Sequence, residues 1–97
     1  MRLSDLNAVL VRHEEPDGLR YTSNMKGAQG IQLDCPCGEG HALLLWFSNP
    51  LDAVLVPIHI QPMARWQRMG EDIATLTLAP SVDARCWHGF IKNGEIC

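Results

Sequence analysis

Apolar residues along this chain recur in short runs and in alternations of period two. No stretch sustains the three-to-four spacing of an amphipathic helix between good caps. LNAVLVRH predicts a strand from Leu6 to Arg12, and Pro16-Asp17-Gly18 after it supplies turn chemistry. GIQLDC puts Ile31 and Leu33 on one face and Gln32 and Asp34 on the other, the pattern of a half-buried strand. HALLLWF is apolar on both faces and too short for an ordinary helix, which predicts a central strand. In AVLVPIHI, Pro57 has no N–H to donate to a ladder, so that run belongs at an edge or a bulge. IATLTLAPSV alternates through Ile73, Thr75 and Thr77 against Leu76 and Leu78. Asn93-Gly94, between Ile91 and Ile96, is the strongest hairpin signal in the chain. Short helices are expected in at most two places, Asn49 to Ala53 and Met63 to Met69.

The expected fold is mainly β, a small antiparallel sheet or sandwich with at most one or two short helices, residues 1–97 forming a single domain. Composition agrees: 97 residues with 46% hydrophobic and 20% charged side chains make a globular domain with one small core. A net charge of -3 with scattered Lys and Arg gives no general pull toward nucleic acid or acidic membranes, and neither is expected as a partner. The longest apolar run, Ala42 to Phe47, is too short to cross a bilayer, and the N-terminus lacks a signal-peptide core. A cytoplasmic protein is therefore expected. In that reducing compartment four cysteines read as metal ligands, catalytic thiols or buried residues rather than a disulfide framework.

Two clusters carry the candidate chemistry. DCPCGEGH offers Cys35 and Cys37, and CWHGF, about fifty residues on, offers Cys86 and His88. In extended backbone, residues two apart point to the same face, so each cluster can aim two ligands at one point. Three thiolates and one imidazole form a recognised structural zinc set, with His41 as a substitute ligand and Cys97 a further candidate. Such a Zn2+ site would staple a domain whose core is small. A thioredoxin-like redox pair does not fit, because Cys35 and Cys37 have one intervening residue rather than two and no βαβ setting.

Standard catalytic motifs are absent: there is no HExxH, phosphate-cradling glycine loop or nucleophile elbow. Glu39 is the candidate catalytic residue, a general base for a water at an open metal position; its plainer reading is a solvated turn residue. Ser81, after Pro80, can hydrogen-bond a thiolate but reads first as an ordinary turn residue. Trp46, Trp66 and Trp87 read as core or near-core residues, with Trp87 turned away from its neighbours Cys86 and His88. His13 and His59 read as exposed or satisfied residues.

CPCGEGHALLLWF, RWQRMG, TLTLAPSV and CWHGFIKNGEI, in that order, resemble the family called domain of unknown function 6527, over Ile31 to Cys97. The resemblance implies a compact β-rich domain with a metal site on Cys35, Cys37, Cys86 and His88. It also implies relatives in phages and prophages, some beside bacterial ubiquitin-like conjugation genes with a suggested peptidase role. Glu39 stands where a common form of that family has a third cysteine. Three functions follow as expectations: a zinc-stabilised accessory or binding module, phage or prophage encoded and acting on a protein partner; a zinc-dependent hydrolase or peptidase using Glu39; and a phage inhibitor of a host or defence protein.

Overall fold

The computed structural model describes residues 1–14, 18–51, 65–84 and 87–97. Among the described residues, eight strands form two four-stranded antiparallel sheets. The first holds β1 (Val9–Glu14), β2 (Gly18–Thr22), β3 (Gly30–Asp34) and β4 (Ala42–Trp46), in the order β2-β1-β3-β4. The second holds β5 (Gln67–Met69), β6 (Thr77–Ala84), β7 (Trp87–Lys92) and β8 (Glu95–Ile96), in chain order. Among the described residues the only helical segments are 3-10 turns at Leu3–Leu6 and Ile73–Thr75. The mainly β, antiparallel expectation holds.

One apolar core joins the sheets. Leu10, Ile31, Leu33 and Leu45 from the first meet Leu78, Val82 and Ile91 from the second, with Leu3, Leu6, Phe47, Trp66 and Leu76 completing the cluster. The alternation in GIQLDC is what places Ile31 and Leu33 there, at 0% and 1% exposure. A second, smaller cluster joins Val11 to Trp46. Val11, Gly30 and Trp46 stand side by side across three strands. A Cβ on Gly30 would lie 2.9 Å from Cε3 of Trp46, so glycine is what lets the indole lie across β3 toward Val11.

Several elements depart from the sequence reading. Leu6 belongs to a 3-10 turn, not to the first strand; Leu3 and Leu6, three apart, bury the same side of that turn, and Asn7 at φ 52° ends it. HALLLWF pairs with β3 over Ala42 to Trp46, and Phe47 at its end bridges Trp66; Leu44 is 39% exposed. Ile73 and Thr75 lie in the second 3-10 turn, capped by Asp72, whose Oδ1 accepts from the Thr75 N–H at 2.9 Å. The helix considered at Met63 to Met69 is, over its described part, strand β5. The run from Ala53 to Ile60, including Pro57 and His59, lies outside the described residues, as do Pro16 and Asp17. The Asn93-Gly94 hairpin forms as expected, with Lys92 opposite Glu95 and Ile91 opposite Ile96.

Candidate functional site

The seven residues joining β3 to β4 are the CPCGEGH segment. The loop is closed at its base, where the Cys35 N–H donates to the His41 carbonyl at 2.8 Å, and turned at its start, where the Gly38 N–H donates to the Cys35 carbonyl at 3.1 Å. Gly38 and Gly40 sit at φ 78° and 87°, a left-handed conformation that only glycine enters without cost. With the backbone curled at these alternate positions, Cys37, Glu39 and His41 bring one ligand atom each to within 4.8 Å of one another. His41 Nε2 is 3.9 Å from a Glu39 carboxylate oxygen. Thiolate, carboxylate and imidazole are all zinc ligands, so this group could hold a metal ion. Cys37 is half-buried and the other two are exposed.

Cys35, two residues earlier, is 2% exposed and belongs to the buried interior. Cys86 lies outside the described residues. His88 belongs to β7, where its ring Nε2 stands 3.2 Å from the Ser81 hydroxyl oxygen on β6. Cys97 is exposed at the chain end, its N–H and carbonyl paired with Phe90. Trp87 is half-buried and packs against the core, while His88, next to it, is exposed on the opposite face of the strand. His13 is half-buried in β1, its N–H donating to Gln29 Oε1 at 2.6 Å.

The Ser81–His88 contact has a local cause in the ladder. Leu78 stands opposite Ile91 and Val82 opposite Gly89, so Ala79, Pro80 and Ser81 together face the single residue Phe90. This bulge carries the chain out of simple register and re-aims the side chain at its end. Ser81 then shares a face with Asp83, which lies directly across from His88, and the Ser81 hydroxyl meets the imidazole along the diagonal. Ser81 is therefore a strand residue with a histidine partner, not the turn residue its position after Pro80 predicts. A hydroxyl facing a ring nitrogen at this distance is the basic unit of an activated nucleophile. The face is open: Ser81 is half-buried, and His88, Asp83 and Phe90 are exposed. A groove of about 700 Å³ lined by Val9, Tyr21, Met25, Asp72 and Ile73 has neither Ser81 nor His88 in its walls.

The spacing of Ser81 and His88, seven residues apart, is no sequence signal, because only the bulged pairing of β6 with β7 makes them neighbours. Pro80 directly before a serine in an otherwise alternating strand was the available hint, since proline in a strand marks a bulge.

The profile of the family described as bacterial ubiquitination-like system serine protease (BubE) matches residues 8–97, and the chain belongs to that family. This corrects the resemblance to domain of unknown function 6527: the motifs from Ile31 to Cys97 lie within the BubE match, which also takes in β1 and β2. No curated protein and no solved structure matches the chain.

Proposed function

We propose that this member of the BubE family is a serine protease acting on proteins of a bacterial ubiquitination-like system, with Ser81 as nucleophile and His88 as general base. The observation that carries the proposal is the 3.2 Å approach of Ser81 Oγ to His88 Nε2 on an accessible sheet face. For this role His88 holds its own proton on Nδ1 and accepts the Ser81 hydroxyl proton at Nε2. Ser81 Oγ then bonds to the carbonyl carbon of the substrate, and the scissile bond breaks as His88 returns the proton to the leaving group. Water, deprotonated in turn by His88, cleaves the acyl-enzyme and restores the Ser81 hydroxyl. The protein partner expected from the sequence is, on this reading, the substrate.

The metal has a separate, structural place in the proposal. With His88 Nε2 turned to Ser81, His41 supplies the imidazole, and zinc is held by ligands drawn from Cys35, Cys37, His41 and Cys86. Glu39 then competes for the ion as a ligand beside Cys37 and His41, which removes it from the role of general base. What supports this reading is that Cys37, Glu39 and His41 bring their donor atoms to within 4.8 Å of one another in a single loop.

A fluorophosphonate probe tests the nucleophile directly, since it phosphonylates activated serines. The wild type is expected to label on Ser81, identified by mass spectrometry of the modified peptide. Ser81→Ala abolishes labelling, and His88→Ala slows it on the order of 10⁴–10⁶-fold, the range seen when a member of such a unit is removed. Labelling that survives Ser81→Ala, or maps to another residue, refutes the assignment.

A further inference from the structure

Ser81 ends the bulge in which three residues of β6 oppose one residue of β7. A backbone carbonyl at a half-buried position needs a donor. Trp66 provides it: its indole Nε1–H donates to the Ser81 carbonyl at 3.3 Å. Trp66 is itself 9% exposed and fixed at both of its own backbone groups. Its N–H donates to the Trp46 carbonyl at 2.9 Å, and its carbonyl accepts from the Ser48 N–H at 2.7 Å. It forms a bridge with Phe47, which is 0% exposed. The indole thus runs from a clamp at the end of β4, in one sheet, to the nucleophile's peptide group in the other.

We propose that Trp66 is a positioning residue for Ser81, a role that rests on the serine protease reading above. Holding the Ser81 carbonyl sets the peptide plane that follows Ser81, and with it the direction of the Cα–Cβ bond from which Oγ reaches His88. Without the indole N–H the bulge has no side-chain tie on this carbonyl, and the hydroxyl spends less time in line with Nε2. Phenylalanine at this position keeps an aromatic ring but leaves part of the indole's space empty, so stability also falls, and the rate per folded molecule isolates the chemical step.

Trp66→Phe separates the two, because it keeps an aromatic side chain and removes the N–H. The expected result is a folded protein whose fluorophosphonate labelling rate, per folded molecule, falls roughly five- to tenfold, the size expected for loss of one hydrogen bond. Phe47→Leu is the control, a change at the neighbouring core residue that lowers stability and leaves the indole bond in place; its labelling rate per folded molecule is expected to match wild type. Equal slowing in the two variants, or an unchanged rate in Trp66→Phe, overturns the positioning role. Should Trp66→Phe not fold, the wild type still decides: the Trp66 indole proton, followed by NMR, is expected to exchange slowly and to shift when Ser81 is phosphonylated. An indole proton that exchanges as fast as a free one overturns the proposal. A wild type that takes no probe on Ser81 while its Trp66 indole proton stays protected overturns the protease reading and leaves the hydrogen bond standing.

Discussion

Gly94→Ala separates backbone conformation from packing, because Gly38 provides a matched control. The two glycines have nearly the same φ, +76° for Gly94 and +78° for Gly38, so alanine meets a similar left-handed penalty at each, roughly 1–2 kcal/mol. Alanine's smaller unfolded-state entropy returns part of that, about 0.4–1 kcal/mol. Around Gly38 there is nothing within 4 Å of the added Cβ, so its net cost is about 1 kcal/mol. At Gly94 the Cβ would press on the Ala74 carbonyl, with its carbon at 2.7 Å and the Ile73 oxygen at 3.0 Å. These are backbone atoms, with no flexible side chain to swing aside.

Moving the hairpin away strains two bonds that tie it to the rest of the molecule. The Gly94 N–H donates to the Leu76 carbonyl at 2.8 Å, and the Gly94 carbonyl accepts from the Leu3 N–H at 2.9 Å. With Gly94 buried, leaving such groups unpaired costs about 1–3 kcal/mol each. The expected total for Gly94→Ala is about 3–7 kcal/mol, a large share of the roughly 5–15 kcal/mol available to a domain. Urea unfolding followed by tryptophan fluorescence measures both variants. Gly94→Ala should lose at least about 2 kcal/mol more than Gly38→Ala. Losses that agree within about 0.5 kcal/mol, the usual reach of a surface change, would refute the packing argument.

Further outcomes follow from other contacts. Replacing Asn49 with alanine removes an acceptor for the Arg68 N–H, at 2.5 Å, and a donor to the Arg68 carbonyl, at 2.9 Å, so β5 loses a side-chain substitute for a strand neighbour. The expected cost is about 1–3 kcal/mol, read as a lower urea midpoint with unchanged m. Gln29→Ala leaves the His13 N–H without the Oε1 acceptor it meets at 2.6 Å, with a loss of about 1–3 kcal/mol by the same measurement. If zinc occupies the loop of Cys37, Glu39 and His41, elemental analysis finds about one zinc per chain. Cys37→Ser and His41→Ala then lower both zinc content and melting temperature, and a chelator lowers the melting temperature of wild type. Wild type without zinc, and with melting indifferent to chelator, removes the metal from the proposal.

Local patterns decided much of the architecture. Ile31 and Leu33 alternate with polar neighbours and lie in the core, and Asn93-Gly94 makes its hairpin, because each signal acts within a few residues. The strand reading failed where local pattern and tertiary packing compete. Leu3 and Leu6 bury themselves through a 3-10 turn, so Leu6 never joins β1. Ile73 and Thr75, read as part of an alternating strand, lie instead in a 3-10 turn capped by Asp72.

By itself the sequence determined which chemistry is available: a loop whose glycines at 38 and 40 space Cys37, Glu39 and His41, and a chain that is mainly β. Spacing of two along a curled backbone is a local property, so the convergence of those three donors needed little beyond the loop. Which residues His88 works with was beyond it. CWH read beside CPC suggests a common ligand set; Cys86 lies outside the described residues, and His88 Nε2 stands 3.2 Å from the Ser81 hydroxyl oxygen. That partnership depends on a bulge in β6 opposite Phe90, and the bulge's carbonyl is held by Trp66 from the clamp at the end of β4. The register of paired strands is a property of two segments at once, and a hydrogen bond between sheets is a property of the whole core. Only the tertiary structure could supply either.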